Sequence, residues 1–90
     1  MEDLAGRRDE ELAQLLDGLE EDERRVSARR QKLHELIRYR KSLGRADGTP
    51  ATADELAELE ARARELSRTR KELHARIDAV RRELTRRPTA

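Results

Sequence analysis

The chain contains no cysteine, no phenylalanine and no tryptophan, and Tyr39 is its single aromatic residue. Without cysteine there can be neither disulfides nor thiolate metal sites. Without aromatic bulk, and with 34% hydrophobic residues in a chain of 90, a thick globular core is excluded. Apolar runs never exceed two or three residues, too short for a membrane span or the centre of a secretory signal. The cytoplasm is therefore the expected location. Net charge is small as well: 21 Lys and Arg face 20 Asp and Glu, leaving +1. Disorder encoded by composition usually brings strong net charge, and a general nucleic-acid binder brings strong positive charge. Neither fits, and direct DNA binding is not expected.

What is abundant is charge of both signs, 46% of residues, and it is segregated. Residues 1–23 hold ten acidic residues against Arg7 and Arg8; residues 24–45 hold nine basic residues against Glu35. Much of this suits helix dipoles and solvated faces. Gly44, Gly48 and Pro50 mark a loop. Thr52 and Glu55 form a capping-box pattern, Asp9 is a plausible N-cap, and Pro88 limits the far end. These signals predict a tail over 1–8, a helix over 9–43, a loop over 44–52, a second helix over 53–86 and a tail over 87–90. Each helix would run roughly 50 Å.

The apolar spacing supports two long helices. Leu56, Leu59, Ala63, Leu66, Arg70, Leu73, Ile77, Val80 and Leu84 step alternately by three and four, a heptad seam. Leu12, Leu16, Leu19, Glu23, Val26, Arg30, Leu33 and Ile37 step the same way, interrupted by Glu23 and Arg30. Gly18 lies off the seam and costs about 1 kcal/mol of helix propensity. A short loop between long helices implies an all-α, antiparallel two-helix coiled-coil hairpin. With one apolar stripe per helix, association into a four-helix homodimer or docking on a partner is expected.

A shift of 40 residues superimposes the helices. Over 19–38 and 59–78, eight of twenty positions are identical, among them Ser27/Ser67, Arg30/Arg70 and His34/His74. Seam leucines match between any two such helices. A repeated Ser, Arg and His at one offset needs more, because Ser is a mediocre helix former and a seam Arg is costly without a partner. One reading lets both arginines snorkel and fix register. The other is a ligand site. Glu23, Ser27, Arg30, His34 and Arg38 fall within an arc of about 80°. Ala63, Ser67, Arg70, His74 and Asp78 form the equivalent stripe. An Arg fork suits guanine O6 and N7, and a carboxylate can accept from the guanine amino edge. Ser and His can reach phosphate or ribose. A guanine nucleotide along a helix face is the implied ligand, with Arg30 and Arg70 repelling each other at the seam until it binds.

This spacing resembles the signature of the RsiG-type anti-sigma factors: Glu, three residues, Ser, two, Arg, three, Gln, three, Asp. The resemblance spans residues 10–86 and is most specific at Glu23, Ser27 and Arg30, and again at Ser67, Arg70 and Asp78. It implies a hairpin that binds cyclic di-GMP as an intercalated dimer and, with it, a WhiG-type sigma factor. The implied ligand contacts are Glu23, Ser27, Arg30, His34, Arg38, Ser67, Arg70, His74 and Asp78. His34 and His74 stand where the family has Gln, Arg38 where it has Asp, and Ala63 where it has Glu.

Residues 73–80 faintly resemble the first helix of a class of small chorismate mutases, but that motif would open a chain and continue into further helices. No nucleophile–base pair and no metal-ligand cluster supports catalysis, so an enzyme is not expected. The main alternative is a coiled-coil interaction module with no small ligand.

Overall fold

A computed structural model describes residues 3–46 and 52–88. It contains two helices, α1 (Asp9–Ala46) and α2 (Ala53–Arg86), packed along their length in a rod of 66 × 20 × 15 Å. The rod is antiparallel. Arg87, just past α2, reaches Asp9 at 2.8 Å, while Lys41 near the end of α1 reaches Glu60 at 3.2 Å. The hairpin expected from the heptads is therefore the observed fold. Among the described residues no helix is long and apolar enough to cross a membrane.

The seams meet as their spacing requires. Leu12, Leu19, Ile37, Ala63, Leu73, Ile77 and Val80 are buried, and every other seam position is half-buried. The apolar core is concentrated at one end. Leu12, Leu19, Leu73, Ile77 and Val80 form one cluster, with Leu4, Leu15, Leu16, Val26 and Leu84 against it. All but Val26 and Leu73 come from the end that carries the chain termini. The loop half buries Ile37 and Ala63 but joins no such cluster.

Helix ends depart from expectation in two places. Asp9 is the first residue of α1 rather than its cap, because Leu12 N–H donates to the carbonyl of Arg8 at 3.0 Å. Its carboxylate is used instead as a tether for Arg87. At the other end α1 continues past 43 to Ala46, so Gly44 does not stop it; the stop expected from glycine needed a left-handed residue, and the backbone stays helical through this one. Residues 47–51, the rest of the expected loop, lie outside the described residues. The start of α2 is as expected: Thr52 Oγ1 accepts from Glu55 N–H at 3.1 Å.

Residues 3–8 are folded rather than a loose tail. Gly6 N–H donates to the Asp3 carboxylate and Arg7 N–H to the Leu4 carbonyl, both at 3.2 Å. This turn lays Leu4 on the terminal cluster. Arg87 holds it there, donating to the Leu4 carbonyl at 2.8 Å while its Nε meets Glu83 at 3.2 Å. A charged fork that serves a carbonyl and two carboxylates closes the open end of the rod.

Gly18 has nothing within 4 Å of where a Cβ would stand, and it sits inside a regular helix. Gly18→Ala is expected to stabilise the hairpin by about 0.5–1 kcal/mol through lost chain entropy in the unfolded state. Thermal or urea unfolding followed by circular dichroism checks it; an unchanged or lower midpoint would contradict an open, helical Gly18.

Candidate functional site

Midway along the rod the apolar seam gives way to polar layers. Arg30 Nε donates to Ser67 Oγ at 2.7 Å, and Arg70 Nε donates to Ser27 Oγ at 3.1 Å. Each arginine thus crosses to the serine of the other helix. The two bonds interchange when 40 is added to one residue and subtracted from its partner. A second couple obeys the same rule: Arg81 meets Glu20 at 3.5 Å, and Lys41 meets Glu60 at 3.2 Å. The repeat in the sequence is therefore a pseudo-twofold in space. Antiparallel packing of two similar helices produces it, because each helix meets the other running backwards.

The expected stripes do not stay whole. Each side of the rod draws half of its residues from one stripe and half from the other. Glu23 and Ser27 join Arg70 and His74; Arg30, His34 and Arg38 join Ser67. Asp78 is exposed, one turn beyond His74, and lines neither of the two cavities described below. The expected repulsion between Arg30 and Arg70 is also offset, because each guanidinium has an oxygen to serve and Glu23 lies 3.4 Å from Arg70.

On the first side, two donors and a guanidinium charge converge on one carboxylate oxygen. Glu23 Oε1 accepts from Ser27 Oγ at 2.6 Å, lies 3.1 Å from His74 Nε2, and faces Arg70 Nε. An ionised carboxylate only accepts, so His74 carries its hydrogen on Nε2. The Ser27 hydroxyl does most to hold Glu23 below the ordinary carboxylate range; His74 and Arg70 add to this, and partial burial opposes it.

On the second side the pattern is broken at one position. Ala63 occupies the place equivalent to Glu23, and His34, the counterpart of His74, has a buried Nε2 with no partner. Ser67 Oγ accepts from Arg30, and its hydroxyl hydrogen has no acceptor among the described residues. Arg30 commits only Nε, leaving both terminal nitrogens open.

A groove of about 940 Å³ opens here, on the loop half of the rod. That volume lies in the range of sites for small ligands, about 300–1,000 Å³. Ile37 and Ala63 supply buried apolar surface, and Arg30, Arg38, Lys41, Arg64, Arg68 and Lys71 surround it, against Glu60. Lys41 pairs with Glu60 and Arg68 with Glu65, whereas Arg38, Arg64 and Lys71 form no ion pair with a described residue. Such a site selects anions. Of the expected contacts, Arg30, His34, Arg38 and Ser67 line it. Lys41, Arg64, Arg68 and Lys71 were not among those contacts. The paired bases at 41 and 81 carried a signal, but they lie just beyond the twenty-residue window in which the repeat is clearest.

On the opposite flank a shallower trough of about 530 Å³ exposes Leu33, Leu36 and Leu66 between charged residues. No family model, curated protein or solved structure matches this chain.

Glu23 gives a pH test of the closed side. Its folded pKa is depressed, so its contribution to stability is complete above the unfolded carboxylate value and is lost as pH falls through the folded value. The stability difference between wild type and Glu23→Gln is expected to shrink as pH falls below the ordinary carboxylate range and through the depressed folded value. A difference that persists unchanged at the acid end, measured by urea unfolding, would show that Glu23 does not gain from Ser27, His74 and Arg70.

Proposed function

We propose that this chain is a cyclic di-GMP-binding anti-sigma factor that holds a WhiG-type sigma factor when the nucleotide is bound. The observation that carries this reading is Arg30. It is held by Ser67 across the helix pair with its two terminal nitrogens open, in a groove it shares with five other cations. Two parallel N–H groups are what a guanine Hoogsteen edge accepts, and the neighbouring lysines and arginines suit the phosphates. The ligand is proposed to enter as an intercalated dimer, with one negative charge on each phosphate. Arg70 is the second fork, Ser27 and His74 its neighbours, and Glu23, Asp78 and Arg38 the remaining contacts implied by the resemblance.

A ligand-free interaction module is the second reading, and a specific observation favours it: Glu23, Ser27, Arg70 and His74 already satisfy one another. That reading leaves the orphaned His34 and the basic groove without a role. Isothermal titration with cyclic di-GMP separates the two. Arg30→Ala and Arg70→Ala are each expected to cost about 1–3 kcal/mol of affinity, the range for a bidentate Arg–guanine contact. Wild-type affinity in both variants would sink the guanine assignment.

The protein partner is proposed on two grounds. In a single hairpin the trough leaves Leu36 exposed and Leu33 and Leu66 only half-covered, and the acidic segment from Glu10 to Glu23 offers complementarity to basic surfaces. If nucleotide neutralises the groove and sets the helix spacing, nucleotide and sigma factor bind with positive, reciprocal coupling of about 1–3 kcal/mol. Fluorescence polarisation of a labelled WhiG-type sigma factor with and without cyclic di-GMP measures it; equal affinity in both conditions removes the switch and leaves nucleotide binding standing. Pairing of two hairpins into a four-helix homodimer is part of the proposal. Sedimentation equilibrium at high micromolar concentration is expected to show a dimer, and a monomer with and without nucleotide rules that pairing out.

A further inference from the structure

The closed side of the rod is a template for what the open side lacks. On the closed side a carboxylate oxygen of Glu23 sits among Ser27 Oγ at 2.6 Å, His74 Nε2 at 3.1 Å and Arg70 Nε at 3.4 Å. The pseudo-twofold carries these two donors and the guanidinium onto Ser67, His34 and Arg30. All three are present and all three line the groove. Only the anion is missing, because position 63 is alanine. The consequences are visible: His34 Nε2 is buried without a partner, and a buried polar atom in that state is costly unless something fills the site.

We infer that the groove contains a discrete anion subsite, formed by Ser67, His34 and Arg30, in which one oxygen of a ligand phosphate or carboxylate takes the place that Glu23 takes on the other side. The Ser67 hydroxyl donates to that oxygen, His34 donates from Nε2, and Arg30 faces it while keeping its bond to Ser67. Glu23 is, in these terms, an internal occupant that shuts the equivalent subsite. A hairpin therefore offers one open subsite and one plugged subsite. Arg64 and Lys71, with no ion pair to a described residue, flank the open one and suit a ligand with a second anionic group. The inference rests on the proposed function only for the source of the anion, a nucleotide phosphate; the donor set is given by the side chains themselves.

The test uses the full chain with two probes, inorganic pyrophosphate and cyclic di-GMP, and follows the ring signals of His34 and His74 by nuclear magnetic resonance. Saturable movement of His34 is expected with either probe; with pyrophosphate, which brings no guanine to Arg70, His74 is expected to stay unmoved. Ala63→Glu supplies the missing carboxylate in cis; it is expected to abolish the His34 response and weaken binding about ten-fold or more, the scale of a charge-assisted hydrogen bond. Glu23→Ala removes the plug and is expected to make His74 respond as well. Ser67→Ala leaves the apolar seam untouched, so it keeps the test decisive if Ala63→Glu fails to fold, which circular dichroism reveals. It too is expected to weaken binding about ten-fold.

A His34 signal indifferent to both probes overturns the subsite. So does wild-type affinity in a folded Ala63→Glu or in Ser67→Ala, even when cyclic di-GMP itself binds; in that case the nucleotide reading survives and the subsite does not. Movement of His34 with pyrophosphate but not with cyclic di-GMP supports the subsite and removes the dinucleotide as its ligand.

Discussion

Two guanidiniums placed in the seam of a two-helix rod must find oxygen, and the need to supply it organises the middle of this protein. Arg30 and Arg70 each reach across to a serine of the opposite helix. A seam arginine without such a bond would lose hydration and gain nothing in return. With it, the stem packs on the seam and the head holds register, because a slip of one heptad would separate both arginines from both serines at once. The apolar cluster at the terminal end supplies most of the burial, but burial is tolerant of sliding. The crossed polar bonds are not, and they fix which residue of α1 faces which residue of α2.

That placement also divides the rod into two unequal halves. Toward the termini, leucine, isoleucine and valine pack continuously, and Arg87 closes the end by tying the Leu4 turn to α2. Toward the loop, small Ala63 faces half-buried His34, and the surface opens into the basic groove. Charge segregation follows the same division. The acidic first segment of α1 lies along the packed half, and the basic second segment lies along the groove. Binding chemistry and cohesion are thus assigned to opposite ends of the same pair of helices. Surface ion pairs such as Arg24–Glu21 and Arg62–Glu58 are exposed and within one helix, and they add little to either task.

The hairpin was legible in the sequence because heptad spacing and a glycine–proline break are local signals with a single geometric meaning. The seam residues named from spacing alone are all buried or half-buried, and Thr52 caps α2 as its place before Ala53 requires. Helix ends were less legible. Whether Asp9 caps or pairs depends on Arg87, 78 residues away, and nothing local encodes that contact. The site was half legible. Ser27, Arg30, His34 and their repeats announced a polar layer, but a stripe drawn on one helix misses that antiparallel packing deals its members to two different sides. The value of Ala63 was hidden for the same reason: an alanine on a seam looks ordinary until the opposing histidine is seen to want a carboxylate.

The pseudo-twofold has a consequence for the connection between the helices. A helix that pairs with a near-copy of itself is close to self-complementary: laid antiparallel on a second α1, Ser27 would face Arg30, Glu20 would face Lys41, and Glu23 would face His34 in both directions. Such a pair would satisfy every histidine. The covalent loop forbids it within one chain, since it joins α1 to α2 and thereby shares one glutamate between two imidazoles. Connectivity sets Ala63, rather than a second Glu23, opposite His34 and so leaves it in need.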